Sequence, residues 1–263
     1  MIGRRVQGSV QGLGRRSLDA VVGLGRMAAF VGTVASHAVR PPWRLRRLVD
    51  EIFDVGVLSV AIVCLSGATV GAVLGLQGYV TLSRFGAANS LGAVVGLVLV
   101  RELGPVLTAL LVTGRAGSAM AAEIASMVTT NQVDGLRMMS IDPVDFVVRP
   151  KALAMLFAMP MLNALFIVFA LFGGYAVGVE LLGLDGGTYV TSMEESIDLR
   201  NDVAGTLLKS VVFGALVGAI ATYRGYTSEP TAAGVSAATT STVVTASVAV
   251  LVFDYVITAL WGV

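Results

Sequence analysis

Residues 91–113 read LGAVVGLVLVRELGPVLTALLVT. About 20 apolar residues in a helix cross the roughly 30 Å hydrocarbon core of a bilayer, and this stretch has that length. It also carries two adjacent charges, Arg101 and Glu102, near its middle. Such groups cost at least about 2.5–3.5 kcal/mol each at the centre of a spanning helix, so they are rare and are functional candidates by default. The stretch therefore reads as a membrane span with polar groups placed inside it.

Four further apolar stretches surround it, at about 55–80, 152–179, 203–222 and 240–261. Composition agrees: 56% of the 263 residues are hydrophobic, and 13% are charged where soluble domains carry about 25%. Mean hydropathy is +0.83. The 31 glycines sit largely within apolar runs, where small residues let spanning helices approach closely. Gly67, Gly71 and Gly75 form two overlapping GxxxG pairs in the first span, and Pro160 marks a kink in the third. The expected fold is an all-α integral membrane protein of five transmembrane helices. An amphipathic interfacial helix precedes them, and a short cytoplasmic coupling helix lies between spans two and three. Residues 1–50 form the basic N-terminal region and 51–263 one membrane domain.

The N-terminal region carries nine arginines between Arg4 and Arg47 against Asp19 and Asp50. Leu18, Val21, Val22, Met27, Phe30, Val31 and Val34 recur at helical spacing, as in a basic helix lying among lipid headgroups. A cleavable signal peptide is the rival reading, and Arg26 interrupts the apolar core it would need. Basic segments flanking spans stay cytoplasmic, which places the N-terminus inside and, after five spans, the C-terminus outside. The loops agree. The one from Gly114 to Lys151 holds Arg115, Arg137, Arg149 and Lys151, whereas the external loop from Glu180 to Asp202 is mostly acidic.

Lys209 in the fourth span and Asp254 in the fifth add to the intramembrane charges. At 1.5 Å per residue, Arg101 and Glu102 lie roughly 15 Å from the outer end of their span, Lys209 roughly 9 Å and Asp254 roughly 10 Å. Gln77 closes the first span. Polar groups of four spans thus converge between the midplane and the outer leaflet. Adjacent residues point about 100° apart on a helix, so Arg101 and Glu102 need partners elsewhere, and Lys209 and Asp254 are the charge-complementary candidates. Two readings stand: ion pairs that hold the bundle together, and a cavity for a polar headgroup with apolar walls. A third, proton relay through a buried carboxylate, is disfavoured because a single carboxylate midway, with no histidine beside it, makes no extended relay.

In the cytoplasmic loop, Asn131 is placed to cap a helix with Asp134 in its first turn and Val133, Leu136 and Met139 along one edge. Asp142-Pro143 would end it. The chain contains no GxxxxGK[ST] motif, no nucleophile–base set, one cysteine (Cys64) and one histidine (His37). ATP binding by a P-loop, catalysis and a classical zinc site are not expected on this chain. The basic N-terminus suits anionic lipid rather than nucleic acid.

Several stretches resemble the MlaE/YrbE family of permeases associated with MCE-domain proteins. They are Val73-Leu74-Gly75-Leu76-Gln77-Gly78-Tyr79, Arg101-Glu102-Leu103-Gly104-Pro105-Val106, Gly114-Arg115-Ala116-Gly117-Ser118-Ala119, Ala122-Glu123-Ile124, Met138-Met139 with Asp142-Pro143, Lys209-Ser210-Val211-Val212-Phe213, and the Asp254 segment. The resemblance implies a homodimer in the bacterial inner membrane. Two copies of an MlaF-like ATPase would sit below it, with an MlaB-like STAS protein on the ATPase and an MlaD-like MCE hexamer above in the periplasm. Such a complex moves phospholipid between the inner membrane and periplasmic carriers and maintains outer-membrane lipid asymmetry. ATP and Mg would belong to the ATPase, with no cofactor on this chain. The resemblance maps lipid-pocket positions onto Leu76, Gln77, Tyr79, Arg101, Glu102, Lys209 and Asp254. It maps coupling to the ATPase onto about Ala121–Met139, with Glu123, Met127, Asp134, Leu136 and Met139. An ion-coupled secondary transporter of a hydrophobic substrate is the alternative, although no inverted repeat is visible. A structural scaffold is the other.

Overall fold

The computed structural model describes residues 22–23, 25–37, 45–198 and 200–261. The chain divides into two units, residues 1–43 and 44–263. In the first, residues 25–37 are helical, with Met27, Phe30, Val31 and Val34 at the i, i+3, i+4, i+7 spacing of one face. Leu18 and Val21, expected on the same interfacial helix, lie outside the described residues, as do most of the N-terminal arginines.

The second unit contains five helices long and apolar enough to cross a membrane: α1 Leu45–Arg84, α2 Ala88–Thr129, α4 Val144–Leu181, α6 Asn201–Tyr226 and α7 Ala232–Trp261. Two short helices connect them, α3 Gln132–Met138 and α5 Gly186–Ser196. The spans expected from hydropathy are all present, and every one is longer than its apolar stretch. Polar residues at the ends continue the helix because each added residue completes one more backbone hydrogen bond.

Termination follows local chemistry. α1 ends where Gly86 adopts φ +70. The Ala87 amide then donates to the Leu82 carbonyl at 3.0 Å and the Gly86 amide to Ser83 at 3.2 Å, the paired bonds of a Schellman cap. α5, inside a segment expected to be loop, starts at an Asp185 cap whose Oδ2 accepts from the Thr188 amide at 2.7 Å. That amide, and then the Thr188 hydroxyl, hold the Asp185 carboxyl below its ordinary range. Its Tyr189 is buried against Tyr175, ring centroids 5.7 Å apart, and burial pushes the phenol up to about 12.

α1 and α4 run parallel in close contact. A Cβ built on Gly67 would lie 2.6 Å from the Phe166 carbonyl oxygen, and one on Gly71 only 1.7 Å from that of Ala170. The GxxxG spacing in α1 is therefore a helix–helix contact, matched by Phe166, Ala170 and Gly174 at the same four-residue interval. α4 continues through Pro160 and packs its other side on α6, where Gly214 meets the Met155 carbonyl. Phe166, Phe213, Met155, Met159 and Leu162 fill the core. Only 11% of the apolar window of α7 is buried, so Val244, Val248, Leu251 and Tyr255 face outward.

The region between spans two and three differs from expectation. Residues from Gly114 onward were expected to leave the membrane helix as a hydrophilic stretch, yet α2 continues, through a wider turn at Thr113–Gly117, to Thr129. The break comes at Asn131, with φ 56. Asn tolerates this left-handed conformation better than most residues, and in it the Asn131 side chain makes no cap hydrogen bond. Asp142-Pro143 does not end α3. It opens α4, with Asp142 Oδ1 accepting from the Val144 amide at 2.9 Å. Val133 and Leu136 are buried, but Met139 is 63% exposed, off the edge it was expected to share. The helix ends at Met138, so Met139 leaves the 3.6-residue register.

Candidate functional site

Two ends of the bundle are distinguished below. The proximal end is where α1 begins, α2 finishes and α4 begins; the distal end is the opposite one.

The distal half of α2 is interrupted at Leu99–Leu103 by one wider, π-type turn. Such turns cluster at functional sites, and this one holds Arg101 and Glu102. Two carbonyls of the turn accept from α6: Val100 from the Thr206 hydroxyl and Arg101 from Lys209 Nζ, the latter at 2.8 Å. Asp202, Thr206 and Lys209 share one face of α6 at i, i+4, i+7. From α7, Asp254 and Thr258 reach the same place one turn apart.

The charges sort into two sets. Lys209, 5% exposed, pairs with Glu102 at 2.9 Å and with Asp254 at 3.1 Å. Thr258 adds a hydrogen bond to Glu102 at 3.2 Å. Arg101 pairs instead with Asp202, Nε to Oδ1 at 2.9 Å and Nη2 to Oδ2 at 3.4 Å. A buried charge without a partner costs several kcal/mol, which is why each cation faces a carboxylate. The four residues expected to converge do so, but Asp254 serves Lys209, and Arg101 takes a partner read from the sequence as part of an external loop. The signal was present: Asp202 lies seven residues before Lys209, on the same helical face. Thr206 and Thr258 carried no signal, since hydroxyls are unremarkable in spanning helices.

Lys209 is fully engaged, whereas the Arg101 side chain is 32% exposed, and its Nη1 has no partner among the described residues. Arg101, Glu102, Asp202, Thr206, Lys209 and Thr258 line a pocket of about 30 Å³, the volume of one water molecule. Leu76, Gln77 and Tyr79 do not line it. Leu76 and Gln77 are exposed on α1, and Tyr79 is half-buried.

At the proximal end the expected coupling residues separate. Glu123 accepts from Lys151 at 2.7 Å, and Lys151 also reaches Glu51 at 2.8 Å, which ties α2, α4 and α1 together. Met127 is half-buried and Leu136 buried. Asp134 is exposed and pairs with Arg137 at 2.9 Å, which in turn donates to the Tyr226 hydroxyl at 2.8 Å. The exposed apolar groups here are Met138 and Met139, 88% and 63% exposed.

Five helices long and apolar enough to span a bilayer, closed around buried ion pairs, define an integral membrane protein. The family model described as Permease MlaE matches residues 48–260. Over 253 residues the chain is 43% identical to the intermembrane phospholipid transport system permease protein MlaE of Haemophilus influenzae, covering 95% of this chain and 96% of that protein. It is 39% identical over 249 residues to a probable ABC transporter permease protein of Rickettsia felis, covering 95% and 96%. A probable ABC transporter permease protein of Synechocystis is 34% identical over 231 residues, covering 87% and 88%. The chain belongs to the MlaE permease family.

Proposed function

We propose that this chain is the membrane subunit of an ATP-driven transporter that moves phospholipid between the inner membrane and periplasmic carriers, and so maintains outer-membrane lipid asymmetry. The observation that carries the reading is the half-open Arg101, anchored by Asp202 within a bundle whose other deep cation is fully neutralised. In low dielectric, its free donors suit a lipid phosphate through charge-assisted hydrogen bonds. Lys209 holds Glu102 and Asp254 and shapes the pocket without binding the phosphate. The family relationship and the names of the relatives support a phospholipid substrate and ATP drive over an ion-coupled secondary transporter.

A pocket of about 30 Å³ is too small for a headgroup, so the working cavity needs a second wall. A homodimer supplies one, and the outward-facing apolar side of α7 suits burial between two copies. Leu76, Gln77 and Tyr79 would line the enlarged cavity. The arginine-rich N-terminus faces the cytoplasm and the C-terminus the periplasm, so the distal end opens outward. ATP and Mg are bound by an MlaF-like ATPase docked at the proximal end, where α3 and the Glu123 region receive its motion. An MlaB-like STAS protein and an MlaD-like MCE hexamer complete the complex. The chain itself performs no chemistry and needs no cofactor.

The test is mass spectrometry of lipid co-purifying with the assembled complex, for wild type and for Arg101→Ala. Near-stoichiometric phospholipid in the wild type, lost in an assembled Arg101→Ala complex, is the expected result. Equal lipid in both sinks the assignment of Arg101. Transport that persists without the ATPase sinks the ATP-driven reading.

A further inference from the structure

A second cavity, of about 210 Å³, opens at the proximal end. At roughly 30 Å³ per water molecule it has room for several, unlike the distal pocket. Its walls include Asp54, Leu58, Arg115, Glu123 and Lys151. Two wide, π-type turns frame it: Phe53–Val57 of α1, which bears Asp54, and Thr113–Gly117 of α2, which bears Arg115. The distal cluster sits on a turn of the same kind, and such insertions concentrate at functional sites.

The charges of this cavity are incompletely matched. Lys151, its side chain 5% exposed, is taken up by Glu51 and Glu123. Arg115 is anchored through Nη1, which donates to the Asp54 carbonyl oxygen at 2.6 Å and to Ser59 Oγ at 3.0 Å. Its remaining donors, and the Asp54 carboxylate, have no partner among the described residues. A guanidinium bonded to the main chain of Asp54 but not to its carboxylate leaves opposite charges on separate edges of one cavity. A ligand that carries both signs satisfies them together. The same α1 turn exposes Phe53 and Val57, each at 53%, and Leu58 just after it at 54%, so the cavity adjoins a surface suited to acyl chains.

We propose that this cavity binds the headgroup of a zwitterionic phospholipid, with Arg115 on the phosphate and Asp54 on the ammonium. The proposal rests on the reading of the chain as a lipid permease and adds a headgroup site at the end opposite Arg101.

The experiment uses the assembled complex in nanodiscs doped with photoreactive phosphatidylethanolamine or phosphatidylglycerol, with crosslinked peptides mapped by mass spectrometry. The ethanolamine probe is expected to label residues 51–59 and 115–123 about tenfold more than the glycerol probe, the worth of one charge-assisted contact. Asp54→Asn equalises the two probes, and Arg115→Gln lowers both by about tenfold. Equal labelling of the wild type, or no change in either variant, overturns the proposal. Displacement of the label by inorganic phosphate but not by phosphoethanolamine assigns the cavity to a free anion and overturns it as well. Asp54 is exposed and unpaired, so Asp54→Asn leaves no buried group unsatisfied and decides the matter should Arg115→Gln fail to fold. Labelling beside Arg101 is read in the same wild-type sample: its absence alone defeats the transport reading, and absence of the proximal label alone defeats this proposal.

Discussion

Lys209 Nζ stands between two carboxylates, 2.9 Å from Glu102 Oε2 and 3.1 Å from Asp254 Oδ1, and so joins α2, α6 and α7 through a single buried cation. Replacing it by Met leaves both carboxylates without their cation. Breaking a buried pair from one side costs about 3–5 kcal/mol. The Glu102 side chain is 41% exposed, and water screening there lowers the expected loss to about 3 kcal/mol. Thermal unfolding of the purified complex checks this. The triple variant Lys209→Met, Glu102→Gln, Asp254→Asn should recover most of the stability, and a triple variant no better than Lys209→Met would show that the charges are not coupled.

The Arg101–Asp202 pair gives a separate expectation. Asp202→Asn keeps a hydrogen-bond acceptor but removes the charge that fixes the guanidinium, so the complex should assemble and retain Arg101 in looser geometry. Co-purifying phospholipid should fall by about tenfold, the worth of a misplaced charge-assisted contact. Arg101→Lys cannot reproduce the two-pronged contact with Asp202 and should lose lipid to a similar degree.

The α1–α4 contact is tested by one methyl group. Gly71→Ala would place a Cβ 1.7 Å from the Ala170 carbonyl oxygen, and overpacking of this kind costs about 1–3 kcal/mol. Gly135 has nothing within 4 Å of such a Cβ, and within α3 the change Gly135→Ala should stabilise by up to about 1 kcal/mol. Denaturation of the two variants side by side separates helix propensity from helix contact. Equal effects would contradict the close approach.

Lys151 links Glu51, Glu123 and the first turns of α4. Lys151→Met should leave lipid binding at Arg101 intact while weakening the stimulation of ATP hydrolysis by lipid in the assembled complex. Glu123→Gln should have a smaller effect, since its side chain is 58% exposed and its remaining oxygen can be hydrated. ATPase assays with and without added phospholipid distinguish the two variants. Unchanged stimulation in both would remove this bridge from the coupling path.

The α5 cap predicts a pH dependence. The Asp185 carboxyl titrates below its ordinary value because the Thr188 amide, then its hydroxyl, donate to the ionised form. A lowered folded-state value means that the cap's contribution is present above the unfolded value, about 3.9, and is lost as pH falls through the folded one. Protection of the first-turn amides of α5, taken relative to the intrinsic exchange rate at each pH, should therefore fall in acid. Asp185→Ala should show low protection there already at neutral pH and no further loss of protection in acid.

Much of this was legible in the sequence because lipid imposes a simple rule. A backbone in hydrocarbon must satisfy its own hydrogen bonds, so each apolar run of sufficient length becomes a helix, and five runs gave five spans. The GxxxG interval in α1 predicted a close contact, since only small residues permit one. The rarity of charge in such runs singled out Arg101, Glu102, Lys209 and Asp254, and the cluster they form follows from the cost of leaving any of them alone.

What the sequence could not supply was the pairing. Which carboxylate serves which cation depends on how three helices are rotated against one another, and packing sets that rotation. Only the tertiary structure assigned Asp254 to Lys209 and Asp202 to Arg101, because a wide turn at Leu99–Leu103 breaks the 100° spacing on which any projection from sequence relies. The same holds at the proximal end. Hydropathy ended the second span near Thr113, where polarity rises, but a helix ends where its hydrogen bonds end, and those persist to Thr129. That continuation, together with the turns bearing Asp54 and Arg115, creates the second cavity, whose residues lie about sixty positions apart in the chain and meet only once α1, α2 and α4 have packed.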